Sequence, residues 1–168
     1  MILTDTTLWR DFEHFDGTLT EESREKVLKA AMQKYAGVTD FYQLKVGAFL
    51  DFVDGKVEAV GVKGDATVFE HYYLAELHKF CEGFVELLQK LTLQMEGDEL
   101  AASGNLIPMS FSESVFVFLR SYFGLPSFVA VQELTLNDWV VAKHDDYNKK
   151  LFQRNFNKMQ SDKIKKRK

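Results

Sequence analysis

The sequence predicts a mainly α protein: a single-domain helical bundle of about five or six helices, with room for a minor β element near 41–62. Three observations predict it. Apolar residues recur three or four apart over several segments. Those segments open on Ser or Thr and close on Gly, the usual helix punctuation. No alternation of strand-like and helix-like stretches marks an α/β fold. The chain has 168 residues, enough for one domain. A chain of that size buries roughly 70% of its unfolded surface, so it needs no covalent staples. Apolar residues make up 46% and charged residues 27%, which excludes a disordered or fibrous protein.

The elements follow in order. Thr7 to Phe15 is expected as a short helix, with Leu8, Phe12 and Phe15 on one side. Glu21 to Lys34 is the first clear helix. Thr18 or Thr20 can cap it, Glu21, Glu22 and Glu25 suit the positive end of its dipole, and Gly37 stops it. Val27, Leu28, Ala31 and Met32 form its apolar face. Asp40 to Phe52 is ambiguous. Tyr42, Leu44 and Val46 alternate as in a strand, whereas Val46, Phe49, Leu50 and Val53 follow helical spacing. A short helix from Gly47 to Val53, then irregular or short-strand backbone to Asp65, is favoured over a hairpin turning at Asp54-Gly55.

Thr67 to Leu93 is the strongest element. Thr67 and Glu70 have capping-box spacing, and Phe69, Tyr73, Leu77, Phe80, Phe84, Leu87, Leu88 and Leu91 make a wide stripe. Gly83 interrupts it and allows close packing or a slight bend. Met95 to Met109 is expected as a loop, with a helical turn around Glu99–Ala102. Ser110 and Glu113 repeat the capping pattern and open a helix to Phe123, which Gly124 and Pro126 end. That helix is apolar nearly all round, as expected for one buried on several sides or in a partner. The last helix is expected from Asn137 or Asp138 to about Met159, with Val140, Tyr147, Leu151 and Phe152 as a narrow stripe continued by Phe156 and Met159. The domain is therefore read as 1–160, followed by a frayed basic tail over 161–168. A six-residue echo links Leu44-Lys45-Val46-Gly47-Ala48-Phe49 with Leu134-Thr135-Leu136-Asn137-Asp138-Trp139. Both are expected to mark helix starts.

Motifs for chemistry are scarce. Asp16-Gly17-Thr18 matches part of the first motif of haloacid dehalogenase-type phosphatases. The position of the nucleophilic aspartate holds His14, which cannot form an aspartyl-phosphate. A turn and helix cap explains the residues better. His71, His78 and Glu82 share a helix, but His71 is too far along it to join Glu82 as a ligand. His144-Asp145-Asp146 is a separate cluster on the last helix. Neither paired Glu-x-x-His nor His-Glu-x-x-His is present. Cys81 has His78 within a turn, yet a buried structural thiol is the expectation. With one cysteine there is no internal disulfide and no C-x-x-C site. No phosphate-binding Gly-rich loop and no nucleophile elbow occur. No catalytic residue, cofactor or metal is expected, and the chain reads as a non-enzyme.

Charge is unevenly placed. The net charge is −4, but residues 149–168 carry +8, which leaves −12 on the first 148. The sign changes between Asp146 and Lys149, inside the last helix. A solvated helix end, with cations near the negative pole of the dipole, explains much of this run; beyond that, Lys163, Lys165, Lys166, Arg167 and Lys168 are candidates for contact with an anionic partner, either an acidic protein surface or nucleic acid. Only Phe152 and Phe156 accompany them as stacking residues, so a protein partner is favoured over nucleic acid. The N-terminus shows no secretory pattern, and no stretch has the apolar length of a membrane span. With the lone cysteine, this points to a cytoplasmic protein with no membrane contact.

Phe116, Phe118, Tyr122, Phe128 and Trp139 make 111–139 rich in interface-anchoring types, although a well-filled core accounts for them first. The ending Tyr122-Phe123-Gly124-Leu125-Pro126-Ser127, then Leu134-Thr135-Leu136-Asn137-Asp138-Trp139, then Ala142-Lys143-His144-Asp145-Asp146-Tyr147-Asn148 resembles the small helical tail assembly chaperones of bacteriophages and prophages. The resemblance covers about the last 50 residues and is compositional. It implies a non-catalytic helper that covers apolar segments of a phage structural protein until assembly, and it carries over no catalytic residue. The expected function is protein interaction or assembly help, with self-association allowed. The alternative is a nucleic-acid-associated protein using its basic arm.

Overall fold

In a computed structural model, the structure describes residues 19–54, 67–96 and 109–165. Among the described residues the chain forms six α-helices. They are α1 (Glu21–Ala36), α2 (Val46–Val53), α3 (Val68–Lys90), α4 (Phe111–Phe123), α5 (Phe128–Gln132) and α6 (Leu136–Lys165). A single 3-10 turn spans Phe41–Gln43. The mainly α fold is as expected. The helix expected at 7–15 and the turn at 99–102 lie outside the described residues, as do 55–62 of the suggested β region.

Local chemistry sets the helix ends. Thr20 accepts from the Ser23 amide, and Thr67 from the Glu70 amide. Ser110 and Glu113 form the full reciprocal box. Each accepted bond satisfies an amide that the first turn leaves free. Gly37 and Gly124 terminate α1 and α4 with φ of 66° and 62°, the left-handed region where a Cβ is penalised. Leu125 N–H then reaches the Arg120 carbonyl at 3.0 Å and closes the end of α4. Pro126 follows, and Ser127 caps the five-residue α5, an element the sequence pattern did not suggest.

The two echo segments meet. Lys45 and Thr135 form an isolated antiparallel bridge. Val46 N–H donates to Leu134 O at 2.8 Å, and Leu136 N–H donates to Leu44 O at 2.9 Å. In the region suggested for a β element, that bridge is what the described residues show. Both segments are helix starts, of α2 and α6, as expected. The bridge aims Phe49 and Trp139 into the same space, where their rings meet edge to face at 5.9 Å. Gly47 lets α2 approach α5, since a Cβ there would lie 2.9 Å from Gln132 Cβ.

One core cluster draws buried residues from every element: Met32 of α1, Phe41 of the 3-10 turn, Phe49 of α2, Phe84 of α3, Leu119 of α4, Val131 of α5 and Trp139 of α6 among them. Phe84 and Trp139 pack edge to face at 5.4 Å. A smaller cluster of Val27 and Val68 joins the middle of α1 to the start of α3. Gly83 is not required for close packing: a Cβ there would meet nothing within 4 Å among the described residues.

The last helix differs most from expectation. It continues to Lys165 instead of fraying after Gln160. Asp145 and Lys149 pair at 2.5 Å and Asp146 and Lys150 at 2.8 Å, both four residues apart. Cations near its end suit the negative pole of the helix dipole. Lys163 and Lys165 therefore stand on an ordered helix, and Lys166, Arg167 and Lys168 lie outside the described residues.

Candidate interaction surface

The five aromatic residues singled out from the sequence do not form one surface. Trp139 is only 1% exposed and belongs to the core. Its size and its position at a bridge-anchored helix start make it a packing residue, so it is unavailable to a partner. Phe116 and Phe118 are half-buried on different sides of α4. Phe116 meets Phe128 edge to face at 5.5 Å. Phe118 faces α6, with Lys143 Nζ 4.5 Å from its ring centre. Phe128 is 50% exposed, and Tyr122 lies at the solvent edge.

The α4–α5 corner exposes several apolar side chains. Phe123, Phe128 and Val129 are exposed there, and Val117 continues it along α4. Arg120 braces the corner. Its Nε donates to Leu125 O at 3.3 Å, and its guanidinium lies 5.6 Å from the Phe128 ring centre. A groove of about 440 Å³ runs between Val117, Arg120 and Phe128.

The joint of α4 with α6 is polar at its rim. The Tyr122 hydroxyl donates to Asp145 Oδ2 at 2.5 Å. Lys149 bonds the same carboxylate and lies 5.6 Å from the Tyr122 ring centre. Hydrogen bonds from Lys149 and Tyr122 hold the Asp145 carboxyl below its usual range. The same contact with Asp145 pushes the Tyr122 hydroxyl up.

The second half of α6 presents a surface the sequence reading placed on the wrong side. Val140, Tyr147, Leu151 and Arg154 are partly buried. At 100° per residue they share one side of the helix. Phe152, Phe156 and Met159 fall on the opposite side and are 69%, 41% and 55% exposed. The Phe152 and Phe156 rings stack with centres 6.2 Å apart. Arg154 ties the helix back on its inner side, through Glu96 at 3.2 Å and the Gln94 carbonyl at 3.1 Å. The expected single stripe thus splits into an inner and an outer one. Spacing alone held the signal: 152, 156 and 159 are i, i+4 and i+7, offset from 140, 147 and 151. Lys158, Lys163 and Lys165 are exposed along this outer half, against the single acid Asp162.

His78 Nδ1 lies 3.6 Å from Glu82 on an exposed face. Among the described residues no group of three or more His, Cys, Asp and Glu could hold a metal ion. Burial pushes the Cys81 thiol up to about 11, so it is protonated and unreactive at neutral pH. No described helix is long and apolar enough to cross a membrane. Comparison of the chain with protein-family models, curated proteins and solved structures finds no match.

Proposed function

We propose that the chain is a non-catalytic interaction protein that associates through the outer face of α6, first with a second copy of itself. The observation that carries this reading is the stacked, solvent-facing pair Phe152 and Phe156 on an ordered basic helix. Apolar anchors at i, i+4 and i+7, here Phe152, Phe156 and Met159, are the pattern by which an amphipathic helix enters a groove. Each copy also supplies the complementary charge. The arm is positive and the first 148 residues carry −12, so a neighbour's body attracts it. Reciprocal arm-to-body contacts satisfy two-fold symmetry.

An assembly-helper role is the finer form of this proposal. It is supported by the compositional resemblance of the last third to phage tail assembly chaperones, and by the exposed α4–α5 corner, which could cover apolar segments of a client. The cytoplasmic location expected from the sequence belongs with it.

Sedimentation equilibrium tests the proposal on the full chain at low and high salt. The expected result is a dimer whose dissociation constant rises with salt, and which is lost in the Phe152→Ser/Phe156→Ser double variant. A chain that stays monomeric at all concentrations overturns the reading. So does salt-sensitive DNA or RNA binding that disappears on truncation to 1–160, which instead supports the nucleic-acid alternative.

A further inference from the structure

Between α3, α4 and α6 lies a cleft of about 360 Å³. Its walls are apolar: Val85 and Leu88 from α3, Val115 and Phe118 from α4, and Trp139 from α6. That volume is at the small end of the range that ligand pockets occupy, which suits a molecule of about ten non-hydrogen atoms. Among the described residues lining it, Lys143 is the one that carries a charge.

Lys143 is unusual for its place. It follows Trp139 by one helical turn, on a side of α6 that otherwise packs inward. It is half-buried, and desolvation pushes its ammonium below the usual lysine range. Among the described residues no carboxylate forms an ion pair with it. Asp146 acts on it at a distance but is itself bonded to Lys150 at 2.8 Å. Its close partner is the Phe118 ring, a weaker partner than a carboxylate. Beside it, Ser114 and Gln89 place neutral hydrogen-bonding groups on the same cleft. A half-buried cation without a counter-ion, set in an apolar cleft, selects an anion carried on an apolar body.

We propose that this cleft binds a small amphipathic carboxylate, with the chain or ring of the ligand between α3 and α4 and its carboxylate on Lys143. The site is separate from the outer face of α6 and does not depend on self-association.

Octanoate is the probe, and octan-1-ol is its uncharged counterpart. Isothermal titration calorimetry on the full chain is expected to show octanoate binding about tenfold or more tighter than octanol, the worth of one charge-assisted contact. Lys143→Met keeps the apolar stem and is expected to reduce octanoate to the affinity of octanol. Lys143→Arg is expected to keep the preference. In a Trp9→Phe chain, where Trp139 alone reports, octanoate is expected to shift the tryptophan emission. Absence of octanoate binding at millimolar concentration overturns the proposal, and so does equal affinity for acid and alcohol. Should Lys143→Met fail to fold, the acid–alcohol comparison on the unaltered chain and on Lys143→Arg still decides it.

Discussion

The two halves of α6 have opposite relations to the molecule. From Leu136 to Ala142 the helix is anchored at every turn: Leu136, Trp139 and Ala142 are buried, and Trp139 packs on Phe49, Phe84 and Phe111. From Lys149 onward it touches the body at Arg154 on its inner side and, at its beginning, through Lys149 beside the Tyr122 ring, and it turns Phe152, Phe156 and Met159 to solvent. One uninterrupted helix thus serves as a core element and as a projecting arm. What separates the halves is the supply of apolar surface opposite them. Helical propensity does not, since α6 runs through both.

Substitutions should separate the halves cleanly. The largest effect is expected at Trp139→Ala, which removes the most central ring of the buried half. It should lower unfolding free energy by about 3–5 kcal/mol in urea titrations. Next is Thr135→Ala. Thr135 and Asp138 cap α6 reciprocally, with the Asp138 amide donating to Thr135 Oγ1 at 3.2 Å and Thr135 N–H donating to Asp138 Oδ2 at 2.9 Å. Losing that cap should cost about 1 kcal/mol by the same measurement.

At the boundary between the halves, Asp145→Asn should have a small effect that depends on pH. The folded carboxyl is held below its ordinary value of 3.8 by Lys149 and Tyr122, so its contribution is present above that value. It is lost as pH falls through the folded pKa. The stability gap between variant and parent should therefore be measurable near pH 6 and close at acid pH. In the projecting half, Phe152→Ser should leave the stability of the monomer, measured at protein concentrations too low for self-association, within about 0.5 kcal/mol of the parent. A large destabilisation there would show that the outer face is packed, and would erase the contrast between the halves. Cys81 gives a check on the core beneath: its raised pKa and burial predict that thiol reagents label it at pH 8 only as fast as the chain opens.

Much of the helix framework was legible in the residues. Thr20, Thr67, Ser110, Gly37 and Gly124 mark ends that the structure keeps, because caps act within one turn of backbone. The short helix α2 begins one residue before its expected start at Gly47. The candidate surface was read less well. Aromatic composition drew attention to Trp139, which is buried, and away from Phe152 and Phe156, which are not. A tryptophan and a phenylalanine look equally apt for core or interface until the opposing elements are in place. The echo between 44–49 and 134–139 carried more than its length suggested. Its two copies hydrogen-bond to each other across 90 residues of sequence, a pairing that six-residue likeness does not specify.

The sequence by itself determined that this chain is helical, where most helices start and stop, and that its charge reverses within the last one. Those properties depend on caps, spacing and counted charges, which are local or additive. Tertiary structure alone decided which face of α6 meets the core, that the starts of α2 and α6 pair, and that Lys143 stands in an apolar cleft with no ion-paired carboxylate among the described residues. These depend on which surfaces come together, and helical periodicity is the same for a stripe that is covered and one that is not.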